Sequence, residues 1–379
     1  MLRARSRGHW RKKMAIVDRV SKFYVESDPR IGTHIALRWK GRVRYTIPRE
    51  LSGHEACWRV FNPGRLGIPL RAMARWPRLF GATMCVESDE LATIRAAIGD
   101  PAGNSYCRSG AEGVWSKDTI LFLDYRTSEP LCIVKAGVGE AVGALLKNEA
   151  SWLSSLRDEP SLADQIPELI AHGSGKDFCF VAQSAMAGKL NLRLGDPHFE
   201  FLRKLQQASI RSLHYQDSQL CLNLKSRMND LRGQLTDAWS IRLETAIQQI
   251  RRTLSGAPVS MVAAHNDFTP WNIRLKQDRA FVFDWEYAAN EQLPLFDPLH
   301  FALLPMALKV EPTAKMAQKV RKTVEECRIW LRKEFCQHEQ TQVLAYLTNI
   351  CVLYLWGARL QPGPHRVLYS YAELIDQVL

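Results

Sequence analysis

The sequence predicts an α+β fold with two lobes, a small β-rich lobe followed by a larger helical one. Three features carry this reading. Between about residues 91 and 188, short runs of β-formers surround a single segment of helical spacing. From Phe199 onward, apolar residues recur at helical spacing almost to Leu379. One polar-rich insertion, AAHNDFTPWNIRLKQDRAFVFDWEYA from Ala263 to Ala288, interrupts the helices.

The chain has 379 residues, enough for two or three domains and a large core. Hydrophobic residues make up 46% and charged residues 24%, the balance of a soluble globular protein. No apolar run reaches the ~20 residues of a membrane-spanning helix. The longest, VLAYLTNICVLYLWGA, carries Thr348 and Asn349 and reads as a buried core helix. The basic opening MLRARSRGHWRKKMAIV lacks the apolar stretch of a signal peptide. Nine cysteines without a C-x-x-C pair indicate neither a disulfide framework nor a zinc ribbon, so a cytoplasmic location fits best.

Charge divides the chain unevenly. Residues 1–80 hold 19 Lys and Arg against 5 Asp and Glu, a balance of +14; the whole chain is +12, so the remainder is −2. The expected organisation is a basic extension or accessory domain over 1–90, an N-lobe over 91–188 and a helical C-lobe over 189–379.

Taken in order, THIALRWKGRVRYTI predicts a hairpin turning at Lys40–Gly41, and a short basic helix is expected from Pro69 to Arg75. ELATIRAAIG reads as a helix or the entry to a strand. NSYCRSGAEGVWSKDTILFLDY reads as two strands around a glycine-containing loop, and EPLCIVKAG as a third strand ending at Lys135. EAVGALLKNEASWLSSLRD has helical spacing and carries Glu149 in its middle. IPELIAHGSGKDFCFVAQSAMAG gives two strands around Gly173–Lys176, and FEFLRKLQQASIRSL opens the helical part. Within the insertion, VSMVAA leads as a strand into His265 and AFVF leads into Asp284, with RLKQDR as the turn between.

Strand ends are where a rigid scaffold presents side chains to a ligand. Asp267, Asn272 and Asp284 would converge there as oxygen donors suited to Mg2+, which takes one or two carboxylates plus substrate phosphates. Phosphoryl transfer needs a carboxylate to orient the acceptor hydroxyl, metal ligands, and a cation on the nucleotide phosphates. Asp267 suits the first role, Asn272 and Asp284 the second, and Lys135, oriented by Glu149, the third. Singly, each has an ordinary explanation: a solvated lysine, a turn aspartate, a structural His265. Together they stand as lysine after a strand, glutamate in the next helix, H-x-D-x-x-x-x-N and a further aspartate, which is the order found in kinases.

HNDFTPWN followed by VFDWE resembles the aminoglycoside phosphotransferase and choline kinase family, which shares a bilobal protein-kinase-like fold. The resemblance spans roughly residues 100–375. It implies that Asp267 is the catalytic aspartate, Asn272 and Asp284 bind Mg2+, and Lys135 and Glu149 form the phosphate-binding lysine and its partner. Gly110 and Gly113 in RSGAEGVW would bring backbone N–H groups to the phosphates of ATP or GTP, although a plain hairpin turn explains them equally. Asn266 replaces the usual glycine and is expected to adopt a left-handed backbone. Asp297 is expected to cap a helix with Pro298 at its first position.

The function expected is an ATP-dependent kinase acting on a hydroxyl of a sugar, amino alcohol or aminoglycoside-like compound. Trp271 and Trp285 would frame the site, with Glu286 and Glu291 nearby. A catalytically silent kinase-like scaffold is the alternative. No helix-turn-helix, zinc or RNP signature supports specific nucleic-acid binding. Arginines alternating with apolar residues in GRLGIPLRAMARWPRLFG suggest either a weak contact of residues 1–80 with anionic membrane or an acidic partner, or packing onto the small lobe, the latter preferred.

Overall fold

Side-chain alternation along the strands of the N-terminal region puts Ile35 and Leu37, then Tyr45 and Ile47, into a common apolar cluster, and Ala36 and Thr46 between them are buried as well. A computed structural model describes residues 19–379 except 29, 40–41, 50–53, 62–71, 73–74, 76–81, 100–103, 111–114, 125, 128, 186–187 and 359–365. The turn at Lys40–Gly41 lies outside these residues. So does the expected helix from Pro69 to Arg75, and with it the basic segment to Phe80, apart from Ala72 and Arg75. The chain divides into two units, residues 1–111 with 117–135, and residues 112–116 with 136–379.

The first unit contains β1 (Arg19–Ser21), β2 (Tyr24–Glu26), β3 (His34–Trp39), β4 (Arg42–Pro48), α1 (His54–Phe61), β5 (Thr83–Glu87), α2 (Asp89–Ile98), β6 (Asn104–Arg108), β7 (Lys117–Leu123) and most of β8 (Pro130–Gly137). Its strands follow the order β1-β2-β5-β3-β4-β6-β7-β8. β3 and β4 pair antiparallel from His34–Pro48 to Trp39–Arg42, the expected hairpin. β5 inserts between β2 and β3, so strands from the first 90 residues share a sheet with β6 and β7. ELATIRAAIG is helical; Leu91 and Ile94 are buried, and Gly99 closes the helix at φ +72°, a left-handed conformation that suits glycine.

A buried polar network ties this unit together. Arg95 donates to both oxygens of Glu87 at 2.8 and 2.7 Å. The Ser105 hydroxyl also donates to Glu87, and Tyr24 Oη and His34 Nε2 lie 2.8 and 3.2 Å from Ser105 Oγ. Burial works to raise the Glu87 pKa, but the Arg95 and Ser105 hydrogen bonds hold it below the usual carboxylate range. Burial lowers the His34 pKa to about 4, against the pull of Glu87.

The second unit begins with α3 (Glu140–Arg157) and the hairpin β9 (Leu169–Ser174) and β10 (Cys179–Ser184). Val142, Leu146, Glu149, Leu153 and Leu156 form the buried stripe of α3, so Glu149 sits in an otherwise apolar face. There follow α4 (Asp196–Ser209), β11 (Arg211–Leu213), α5 (Gln219–Leu231) and α6 (Asp237–Leu254). The expected helix FEFLRKLQQASIRSL thus stops at Ser209, because its end pairs as a strand with residues 259–261. The site hairpin follows, with β12 (Val259–Ala264), β13 (Ile273–Lys276), β14 (Arg279–Val282) and β15 (Ala289–Gln292). The chain then closes with α7 (Phe296–Leu308), α8 (Thr313–Trp330), α9 (Glu339–Ala358) and α10 (Arg366–Val378). α9 is the one described helix long and apolar enough to cross a membrane, yet residues 341–352 along it are buried. None of the nine cysteines, all among the described residues, is in a disulfide; all but Cys179 and Cys336 are buried.

His198 is buried in the second unit, its ring against Phe268 and Phe301, and burial lowers its pKa to about 4 as well. An unfolded imidazole titrates near 6.5, so between these limits the unfolded chain binds more protons and stability falls with falling pH. Each histidine contributes on the order of 3 kcal/mol over the full window. Glu87 acts separately, losing its contribution only as pH falls through its own lowered folded-state value. Burial that raises the pKa of Asp118, to about 6, and of Asp297 works in the opposite sense, so the histidines are read by difference. Between pH ~6.5 and ~4 the urea midpoint of His34→Gln or His198→Gln is expected to fall less with falling pH than that of the unmodified chain. An unchanged pH dependence in both variants contradicts the burial of these neutral rings.

Candidate active site

Two pairings build the site. β12 pairs with β15 through Val262–Gln292 and Ala264–Ala289, which brings the chain entering His265 beside the chain leaving Tyr287. β13 and β14 pair from Ile273–Val282 to Lys276–Arg279, turning on Gln277 and Asp278 with φ of +50° and +56°. Two successive left-handed residues suit a two-residue hairpin, whose twist they match. This register sets Asn272 against Phe283, whose N–H donates to Asn272 O at 3.1 Å.

His265 is fully buried and uses both ring nitrogens. Asp267 N–H donates to Nδ1 at 3.2 Å, and Nε2–H donates to Phe283 O at 3.1 Å. Burial lowers its pKa, against the pull of Asp297, Asp267 and Asp284, which suits a neutral ring with one donor and one acceptor. The expected structural role of His265 matches these bonds. Asn266 has φ +62°, the left-handed backbone expected where the family pattern has glycine, and its side chain donates to Tyr287 O at 3.0 Å.

Asp267 is half-buried, and both its oxygens are engaged. Asn272 Nδ2 donates to Oδ2 at 2.8 Å and His300 Nε2 lies 3.3 Å from Oδ1. Asp297 differs from its expected capping role. It is the second residue of α7, not the residue before it, and its carboxylate accepts from His265 N–H at 2.7 Å and Asn266 N–H at 2.9 Å. The paired residues of β12 end at Ala264, and the carboxylate supplies the acceptor for the two N–H groups that follow. Burial pushes the Asp297 pKa up, while His265 and the two N–H groups oppose it.

Asp284 stands at φ +75° and ψ +55°, the left-handed region that aspartate enters more readily than most residues. From there one carboxylate oxygen each of Asp284, Glu286 and Glu149 lie within 4.8 Å of one another. Glu149 reaches this cluster because α3 is clamped to the loop: Asn148 Nδ2 donates to the carbonyls of Glu286 and Ala288 at 2.9 and 3.0 Å. Next to this clamp Trp152 stacks on Trp285, centroids 6.1 Å apart. Three carboxylates so close, those of Glu149 and Glu286 buried and that of Asp284 half-buried, repel one another. An all-oxygen donor set of this kind fits a hard cation such as Mg2+.

Several expected positions read differently in three dimensions. Trp285 is wholly buried and donates its Nε1–H to Val282 O at 3.0 Å, whereas Trp271 is 41% exposed, so the two indoles do not frame a common site. Glu291 accepts from Gln219 N–H at 2.7 Å and faces Arg211, while Glu286 belongs to the carboxylate cluster. Lys135 is inside β8, two residues before its end, and belongs to the first unit. Gly110, also in the first unit, donates its N–H to Asp118 Oδ1 at 3.1 Å, and a Cβ there would meet Lys117 O at 2.1 Å. Gly113 lies outside the described residues. His300 and Tyr346, the buried partners behind Asp267, had no local sequence signal.

A model of the phosphotransferase enzyme family matches residues 115–312. No curated protein matches the sequence. Among solved structures, the chain is similar to a thermostable mutant of aminoglycoside phosphotransferase APH(4)-Ia in ternary complex with ADP and hygromycin B. The identity is 13%, the match covers 76% of this chain and 96% of that chain, and the TM-score is 0.51. A second mutant of that enzyme, with AMP-PNP and hygromycin B, is 14% identical over 72% and 92%, with a TM-score of 0.52. The GDP and kanamycin complex of APH(2'')-IIia is 14% identical over 76% and 98%, with a TM-score of 0.50. At such identities the likeness is one of fold.

Replacing Asp297 tests the loop's support. Asp297→Ala removes the acceptor of the buried His265 N–H and the half-buried Asn266 N–H and is expected to destabilise the second unit by roughly 1–4 kcal/mol. Asp297→Asn, retaining one acceptor oxygen, is expected to cost less. Equal urea midpoints for Asp297→Ala and the unmodified chain would contradict the assignment.

Proposed function

The chain belongs to the phosphotransferase enzyme family, and from that premise we propose that it is an ATP-dependent kinase transferring the γ-phosphoryl group to an alcohol hydroxyl of a small molecule. The observation that carries this reading is the pairing of Asp267 with Asn272 on one loop whose register sets Asn272 against the residue preceding Asp284. ADP, AMP-PNP or GDP bound together with hygromycin B or kanamycin in the similar structures supports a nucleotide and a small hydroxyl-bearing acceptor.

In this proposal Asp267 orients the acceptor hydroxyl and receives its proton. Asn272 Nδ2 holds one carboxylate oxygen of Asp267, so the amide carbonyl of Asn272 is the atom directed to a cation. Asn272 and Asp284 would hold Mg2+, with Glu149 and Glu286 beside Asp284. Bound there, the ion neutralises charge on the phosphate oxygens. Lys135 and Gly113 are proposed to contact the nucleotide phosphates; the Gly110 N–H, expected to do so, is taken by Asp118. A sugar or other neutral hydroxyl compound is the acceptor class we favour, since the helical part of the chain is not broadly acidic.

Calorimetry with ATP, with and without Mg2+, tests the metal assignment. Asp284→Ala is expected to abolish the Mg2+-dependent part of binding and Lys135→Ala to weaken affinity; an unchanged Mg·ATP affinity in Asp284→Ala would sink the assignment. A phosphorylation screen over sugars, amino alcohols and aminoglycosides tests the reaction. Asp267→Asn is expected to keep Mg·ATP binding and lose about 10²–10⁴-fold in transfer.

A further inference from the structure

α7 is apolar along almost its whole length, FDPLHFALLPMAL, yet it buries one imidazole, that of His300. Burying such a ring costs free energy unless both nitrogens find partners. Both do. Nε2 lies 3.3 Å from Asp267 Oδ1, Nδ1 lies 3.2 Å from Tyr346 Oη, and Tyr346 Oη lies 3.1 Å from Tyr371 Oη. Tyr346 and Tyr371 are buried, on α9 and α10. A continuous polar line thus runs from the candidate base through three helices of an apolar core.

The direction of this line follows from the carboxylate. An ionised Asp267 offers only acceptor lone pairs, so the nitrogen facing it must carry the proton. In a neutral ring Nδ1 is then the acceptor, which makes Tyr346 its donor and Tyr371 the donor to Tyr346. The opposite tautomer would set two lone pairs against each other at 3.3 Å. Burial pushes both phenols well above their ordinary range, so each keeps the proton it must donate. On the other side of the carboxylate, Asn272 Nδ2 donates to Oδ2.

The geometry points to His300 as the positioning residue of Asp267: the carboxylate fixes the ring's tautomer, Tyr346 and Tyr371 satisfy its far nitrogen, and its Nε2–H with Asn272 Nδ2–H holds the carboxylate from both sides. This rests on the reading of Asp267 as the group that receives the acceptor proton. The orientation of the base is accordingly set by the helical core behind it as well as by its own loop.

Two measurements on the full chain test it. In 15N NMR of histidine-labelled protein near neutral pH, the His300 signals are assigned by their loss in His300→Gln. An Nε2–H ring is expected, retained in Tyr346→Phe with its Nδ1 signal shifted by the loss of the Tyr346 hydrogen bond. A Nδ1–H ring in the unmodified chain, or a Nδ1 signal unaffected by Tyr346→Phe, overturns the proposal. The second measurement is phosphate release from Mg·ATP with water as acceptor. His300→Leu is expected to slow it roughly tenfold to a hundredfold while the calorimetric Kd for Mg·ATP stays within about twofold. His300→Gln keeps an N–H donor and is expected to recover to within about fivefold of the unmodified rate. Slowing by Asp267→Asn with none by His300→Leu removes the positioning role alone, whereas release unaffected by Asp267→Asn removes the base assignment on which it rests.

Discussion

The candidate site hangs on one buried ring. His265 accepts from the Asp267 amide and donates to the Phe283 carbonyl, so it joins the loop carrying the candidate base to the strand end that presents Asp284. The bond from the Asp267 amide would be lost if the ring ionised, since Nδ1 would then have no acceptor lone pair. Burial against Trp285, with ring centroids 4.7 Å apart, keeps it neutral. The apolar core therefore does electrostatic work: by excluding water it holds an imidazole in the single protonation state that fits between the two loops.

Around this ring the backbone turns sharply, and the two corners that carry functional groups are an asparagine and an aspartate. Asn266, Asp284 and Glu291 all have positive φ, as do Gln277 and Asp278 in the hairpin turn. Asparagine and aspartate tolerate this region because short polar side chains bond locally. At Asn266 and Asp284 the same residues also carry functional groups: one ties its side chain to Tyr287, the other joins the carboxylate cluster. Corner geometry and chemistry are thus met by the same side chains, which is why so few residues suffice to build the loop. Asn148 and the Trp152–Trp285 stack then hold α3 in place, and with it Glu149.

Local features of this arrangement were legible in the sequence. The strand–loop–hairpin pattern, the H-x-D-x-x-x-x-N spacing, the left-handed Asn266 and the structural role of His265 all depend on residues within about twenty positions of one another. The misreadings involve longer reach. Asp297 has a helix-cap signature, but its carboxylate bonds amides 31 and 32 residues away. Trp271 and Trp285 look alike in sequence, yet one is exposed and the other buried, a difference set by the packing of α3 and α4. His300 sits in an apolar run and meets Asp267 only through the fold, 33 residues away. The network of Tyr24, His34, Glu87 and Ser105 likewise joins strands whose order, with β5 between β2 and β3, no periodicity encodes.

The cysteines offer a clock for how this molecule opens. Cys57, Cys85, Cys107 and Cys132 are buried in the first unit, and Cys221, Cys327 and Cys351 in the second. Burial raises the thiol pKa of Cys85 to about 12 and drives those of Cys107, Cys327 and Cys351 upward too, so these sulfurs stay unreactive while covered. An alkylating reagent reaches each one only when its surroundings unfold. Reading the modified positions by peptide mass over time would therefore show which unit loosens first, with the native sulfurs as the only labels required.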